Sequence, residues 1–282
     1  MLFRTDIEKL TRTPIIAEIL LNADGGESIV IGDGKRTPIA EQFRNLRTSL
    51  SYIGINADKK TLLFTSSISG EGKSFMAVNM AVSLAITGKK VVLMEFDLRK
   101  PKIGAMLNLE REPGISNYLA GMVTQQELIK AYTPVPNLFV ITSGAIPPNP
   151  TELMLNGKLD ALMAGLKQEF DYVLIDCSPV GLVTDAKLLR KYSDATLYMV
   201  RHDYTPKSHI RQIELLYGGG ELGNMYIVFN GLKKRGLLGY GDGYGYGYGY
   251  GYGAGYGEAY IEGEKSKKGF FNKITSLFGK KH

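Results

Sequence analysis

TLLFTSSISGEGKSFMAVNMAVSLAITG, residues 61–88, decides the fold. TLLFTSS is short and apolar, as expected of a strand buried on both faces. SFMAVNMAVSLAITG is largely apolar and stops at Gly88, which predicts a buried helix. Between them SSISGEGKS, residues 66–74, has the close glycines and the Lys-Ser ending of a phosphate-binding loop. Glycines let backbone N–H groups curl around phosphate oxygens at a helix N-terminus. On this reading Ser69, Gly70, Glu71, Gly72, Lys73, Ser74 and Phe75 form a nucleotide cradle. Lys73 reaches the β- and γ-phosphates of ATP, and the Ser74 hydroxyl meets Mg²⁺. One position departs from the pattern: Ser67 stands where its first glycine belongs.

Outward from this loop the chain alternates. KVVLMEFD (90–97), LFVIT (138–142), YVLID (172–176), ATLYMV (195–200) and MYIVFN (225–230) read as further short strands. Helical stretches lie near 38–53, 151–169, 184–192 and 206–217. This alternation predicts an α/β fold of the P-loop NTPase class, a mostly parallel sheet with helices on both faces. Two strands end in acids. VVLMEFDLRKP supplies Asp97, with Glu95 two positions earlier, and YVLIDCSP supplies Asp176 in the manner of a Walker B motif. Ligands of open α/β sheets bind beyond the carboxyl ends of the strands, where both acids would lie. Mg²⁺ keeps several waters and takes few carboxylates, so Ser74, Asp97 and Asp176 are the candidate metal contacts.

The two ends differ from the body. Residues 1–35 mix short apolar pieces with glycine pairs and read as a linker before a domain spanning 36–232. From 233 to 264 the chain is a Gly/Tyr cluster, with Tyr240, Tyr244, Tyr246, Tyr248, Tyr250, Tyr252, Tyr256 and Tyr260 set among glycines. Such a segment has too little apolar bulk to offset chain entropy, so disorder in isolation is expected. Residues 265–282 carry six lysines and no acid, which equals the net charge of +6 and leaves the rest of the chain neutral. A neutral body with a basic, amphipathic tip points to an anionic membrane, a phosphate or an acidic partner rather than to general nucleic-acid binding. Cys177 is the single cysteine, so a disulfide framework is excluded. His202, His209 and His282 have no zinc-site spacing, no nucleophilic triad is visible, and no apolar run reaches membrane-spanning length.

SGEGKS, EFDLRKP and VLIDCSP, in that order, resemble the bacterial P-loop tyrosine kinases of capsule and exopolysaccharide export. These are relatives of the partitioning ATPases with a second, aspartate-bearing Walker A′ motif. EQFRNLRTSL, GISNYLAG, TSGAIPPNPTELM, PVGLVTDAKLL and FNG extend the resemblance over residues 36–232. The resemblance implies that Lys73, Asp97 and Asp176 are catalytic, with Asp97 near Mg²⁺ as base for a tyrosine hydroxyl. Glu95 stands where the family usually has aspartate. Asn230 matches a residue near the adenine, and Asp185 falls at the site without an assigned role. Glu41, Arg44 and Arg47 match a subunit-contact helix, implying a ring-shaped, octamer-like homo-oligomer.

The resemblance further implies autophosphorylation in trans of the eight tail tyrosines, a membrane copolymerase or activator segment in cis or trans, and a cognate tyrosine phosphatase. It places the chain on the cytoplasmic side of the cell membrane, with no nucleic-acid partner. TDIEKLTRTPIIAEIL resembles the segment that follows the second transmembrane helix where kinase and copolymerase share one chain; a separately encoded kinase is the alternative. Two other functions compete. A partitioning-type ATPase usually carries a signature lysine where this chain has Ile68, and lacks a tyrosine tail. A non-catalytic, nucleotide-sensing assembly component is left open by Ser67 and Glu95.

Overall fold

TLLFTS forms β2 (Thr61–Ser66), buried along its whole length, and VVLMEF forms the equally buried β3 (Val91–Phe96). The computed structural model describes residues 3–22, 27–32, 34–180 and 184–233; the tyrosine cluster and the basic segment 265–282 lie outside them. Before β2 come α1 (Arg4–Leu10), β1 (Ile15–Leu20) and α2 (Pro38–Tyr52), and α3 (Lys73–Ala85) links β2 to β3. Next come the short helices α4 (Ile103–Met106), α5 (Ile115–Leu119) and α6 (Gln125–Leu128), with strands β4 (Lys130–Ala131) and β5 (Leu138–Ile141). The remainder is α7 (Pro150–Met154), α8 (Lys158–Glu169), β6 (Tyr172–Cys177), α9 (Asp185–Leu189), β7 (Ala195–Arg201), α10 (Lys207–Gly218) and β8 (Met225–Leu232).

Among the described residues the sheet has eight strands in the order β1-β8-β7-β2-β6-β3-β5-β4. It is parallel throughout except where short β4 runs against β5. Successive residues of the central strands feed opposite cores. Leu63, Val92, Met94 and Ile175 pack with Leu162 of α8 and Ile210 and Ile213 of α10. Leu62, Phe64, Leu93 and Leu174 pack with Phe43 and Leu46 of α2 and with α3. Two buried faces explain why these strands are continuous apolar runs. α2 starts where the sequence suggested: the Thr37 hydroxyl accepts from the Ala40 amide at 3.3 Å and Pro38 opens the first turn.

Residues 1–35 are not a linker throughout. IIAEIL is the edge strand β1, paired in parallel with β8, and residues Ser28 to Val30 dock on Asn79 of α3, whose amide oxygen accepts from the Val30 N–H at 2.8 Å. The strand was hidden because its partner lies some two hundred residues downstream and because Glu18 interrupts the apolar run. Glu18 is buried there and meets Arg4 of α1 at 2.8 Å. The helical stretch at 151–169 also divides, into α7 and α8, at Gly157, which adopts a left-handed backbone (φ 81°).

Candidate active site

The phosphate loop leaves the carboxyl end of β2 at the middle of the sheet, between β6 and β7. Gly70 and Gly72 both adopt left-handed backbone, at φ 93° and 97°. Neither has room for a side chain. A Cβ on Gly70 would lie 2.6 Å from the Tyr204 hydroxyl, and one on Gly72 would collide with the Asn230 amide. Ser67, the departure from the glycine pattern, is buried and shares a 3.0 Å hydrogen bond with the Tyr198 hydroxyl. The position therefore serves the contact with β7. The same burial raises the Tyr198 pKa, so the phenol stays neutral.

Strand neighbours bring the acids to the loop. Asp176 of β6 pairs in register with Phe64 of β2 on one side and Glu95 of β3 on the other. The Ser74 hydroxyl donates to Asp176 Oδ2 at 2.6 Å. Lys73 Nζ lies 3.3 Å from Oδ2 of Asp97, which follows β3. Asp97 Oδ1 accepts from the Ser178 hydroxyl and the Lys100 amide, both at 3.1 Å. Lys73, Ser74, Asp97 and Asp176 thus form one connected, buried cluster. Desolvation, the largest influence on Lys73, favours its neutral form. The charges of Asp176 and Asp97, with the hydrogen bond to Asp97, outweigh it and raise the pKa. Desolvation likewise dominates Asp176 and lifts it to about 6; Lys73 and Ser74 pull it down, while Asp97 and Glu95 push it further up.

Asp176 Oδ1 is buried and has no hydrogen-bond partner among the described residues. A buried carboxylate oxygen without a partner is costly unless something cationic meets it. With the Ser74 hydroxyl beside it, the donor set is all oxygen, which suits a hard cation such as Mg²⁺. Among the described residues no three His, Cys, Asp or Glu groups form a metal cage. Waters and phosphate oxygens would complete such a site, as Mg²⁺ in nucleotide sites requires.

Glu95 is not part of this cluster. One carboxylate oxygen accepts from the Ile103 amide and the other from the Ser143 amide at 3.1 Å, so it clamps α4 and the loop after β5. Asp185, 1% exposed, receives the Thr151 hydroxyl at 3.0 Å and pairs with Arg99 at 3.6 Å. Asn230 donates to the Glu71 carbonyl at 3.0 Å. The Phe75 ring is spent on packing, edge-to-face with Phe43 at 5.9 Å between centroids.

Glu41, Arg44 and Arg47 do not reach the loop. Glu41 and Arg44 pair with each other, Arg44 also donates to the Lys35 carbonyl at 2.7 Å, and Arg47 donates to the Ser83 carbonyl near the far end of α3 at 2.6 Å. The eight candidate tail acceptors, Tyr240 to Tyr260, lie outside the described residues. Arg201, Tyr204, Thr205 and Ser178 touch the cluster or its loop and were missed from sequence. Ser178 sits two residues after Asp176 and was within reach of the motif; the other three carry no local signal.

A family model described as an AAA domain matches residues 59–208. The chain is 31% identical over 196 residues to a Staphylococcus aureus protein named putative tyrosine-protein kinase CapB, covering 69% of this chain and 86% of that one. It is 34% identical over 168 residues to the tyrosine-protein kinase YwqD of Bacillus subtilis, covering 60% and 70% respectively. Among solved structures it resembles the chimerical protein CapA2B2 with a TM-score of 0.75 at 31% identity, over 82% of this chain and 100% of that one.

Proposed function

The chain belongs to the bacterial P-loop tyrosine-protein kinases, and on that premise we propose that it transfers the γ-phosphoryl group of ATP to the tyrosines of its own C-terminal cluster in a neighbouring copy. The connected cluster of Lys73, Ser74, Asp97 and Asp176 supports this most directly. Phosphoryl transfer needs positioning and charge neutralisation more than covalent chemistry. Bound Mg²⁺ would supply neutralisation at the phosphates, with Ser74, Asp176 and Asp97 as the residues to hold it or its waters. Lys73 adds a fixed cation on the same side. Asp97, held by Ser178 and the Lys100 amide, would accept the phenolic proton as the tyrosine oxygen–phosphorus bond forms and the bond to the β-phosphate breaks. A glycine-rich tail can enter such a site extended and offers many equivalent acceptors. Ile68 stands at the position of the partitioning ATPases' signature lysine, and an apolar side chain there supports the kinase over that alternative.

Incubation with ATP and Mg²⁺ is expected to give a ladder of phosphate additions in the intact mass, confined on digestion to the Tyr240–Tyr260 region and removed by a tyrosine phosphatase. A single unshifted mass would overturn the kinase reading for the isolated chain.

Capsule or exopolysaccharide production is the proposed setting, at the cytoplasmic face of the membrane, with a copolymerase-type activator and a phosphatase as partners. No helix among the described residues is long and apolar enough to cross a membrane. In this proposal the basic segment 265–282 or the activator supplies membrane contact.

The proposed ring places Glu41 and Arg44 between subunits. Arg47 is committed to Ser83 of its own chain, so the test avoids it. Exchanging the pair, Glu41→Arg with Arg44→Glu, keeps an intrachain partner while reversing the surface pattern. The exchanged protein is expected to sediment as smaller species and to phosphorylate its tail more slowly at equal concentration. Sedimentation identical to wild type would place the interface elsewhere.

A further inference from the structure

Three consecutive carbonyls of the phosphate loop each have a dedicated side-chain donor from outside it. The Tyr204 hydroxyl donates to Ser69 O at 2.9 Å, Arg201 Nη1 to Gly70 O at 2.7 Å, and Asn230 Nδ2 to Glu71 O at 3.0 Å. A trans peptide points its N–H opposite to its C=O. Holding these three carbonyls outward therefore turns the N–H groups of Gly70, Glu71 and Gly72 to the other side, as a nest of anion-binding amides requires. Among the described residues those three amides donate to no protein acceptor.

The donors are themselves fixed. Arg201 and Asn230 are register partners on β7 and β8. The Arg201 stem crosses Gly231, where a Cβ would meet it at 3.3 Å, and its guanidinium stacks 5.1 Å from the Tyr204 ring centre. The Thr205 hydroxyl accepts from the Arg201 amide at 2.8 Å and donates to the Glu71 carboxylate, whose other oxygen holds the Ile68 amide. The glycines of the loop answer to the same device, since Gly70 and Gly72 are the positions where Tyr204 and Asn230 approach.

We propose that Tyr204, Arg201 and Asn230 are positioning residues that preset the peptide orientations of the phosphate loop, so that the amides of Gly70, Glu71 and Gly72 face the nucleotide before it binds. This rests on the nucleotide-site reading above. Preorganised donors need no reorientation when the anion arrives, which is where their advantage over flexible ones lies. Tyr204 is 46% exposed, so removing its hydroxyl opens no cavity and leaves the ring in place. The effect should fall on nucleotide binding rather than on folding.

The test compares binding of a fluorescent ADP analogue with Mg²⁺, ATP kinetics and nucleotide-free melting in wild type, Tyr204→Phe, Arg201→Gln and Lys73→Ala. Tyr204→Phe should weaken the analogue roughly two- to tenfold, the loss expected of one neutral hydrogen bond. The KM for ATP should rise in step while kcat stays within about twofold, because binding common to ground and transition states is what is lost. Arg201→Gln should act in the same direction and more strongly, since its bond is charge-assisted. Nucleotide-free melting of Tyr204→Phe should match wild type. Unchanged affinity in both variants, or a weakening accompanied by an equal loss of nucleotide-free stability in Tyr204→Phe, would overturn the positioning role while Lys73→Ala still loses nucleotide. Retained nucleotide binding by Lys73→Ala would remove the nucleotide site and this proposal with it.

Discussion

Lys73→Ala is expected to cut ATP-dependent tail phosphorylation by roughly a thousandfold, comparable to losing a fixed transition-state cation in other phosphoryl-transfer sites. The reason goes beyond one lost phosphate contact. Lys73 is 7% exposed and neighbours two buried carboxylates, Asp97 and Asp176. Without it, Asp176 loses its nearby cation and keeps its like-charged neighbours, which favours its protonation. A protonated Asp176 is a poor cation ligand, and Asp97 loses the cation that fixes its carboxylate. Asp97→Asn, which keeps the shape and most hydrogen bonds, should cost at least about 10²- to 10⁴-fold, since it removes the proposed base and also the charge that pairs with Lys73 and would help hold Mg²⁺. Intact mass against time, with nucleotide binding measured in parallel, checks both. Near-normal phosphate incorporation by Lys73→Ala would remove the phosphate-loop reading altogether.

Asp176→Asn should make the nucleotide-free, metal-free protein more stable while abolishing most of its activity. Asp176 is fully buried, and desolvation raises its pKa from 3.8 to about 6 in the folded state. Between those values the folded protein holds a proton that the unfolded chain has released. Stability from this group is therefore fully present below about pH 4 and falls as pH rises to about 6. Two pKa units correspond to about 3 kcal/mol at neutral pH, as an upper limit. Asparagine has the same shape, can still accept from Ser74, and carries no charge to desolvate. In chelator, the variant should melt several degrees above wild type at pH 7 to 8 and show no advantage near pH 4. A variant less stable than wild type at pH 7.5 would show that Lys73 offsets the desolvation of Asp176 completely. A destabilised acid at the centre of a working site is the usual stability–activity trade-off.

Much of the architecture was legible because it is local. Residues 61–66 and 91–96 are buried on both faces, so their sequences are continuous apolar runs that need no partner to be recognised. The loop at 66–74 depends on glycine conformation and a Lys-Ser pair, both written in adjacent letters. Strand β1 was missed because a six-residue edge strand shows itself only beside β8, and because Glu18 looks like surface until Arg4 is seen against it. Arg47 shows the same limit. Its helical spacing with Glu41 and Arg44 is plain in sequence, yet its guanidinium is committed to Ser83, which only the packing of α2 on α3 could reveal.

By itself the sequence determined the alternation of the central strands with their helices and the glycine pattern of the phosphate loop, and it marked Lys73, Ser74, Asp97 and Asp176 as candidates, because backbone preference, side-chain period and ligand chemistry are properties of neighbouring residues. Tertiary structure alone decided that Glu95 clamps two loops instead of joining the cluster, and that Arg201, Tyr204 and Asn230 hold the loop's carbonyls. Those roles are set by which strands lie side by side at the carboxyl edge of the sheet, a pairing between segments that no local pattern records.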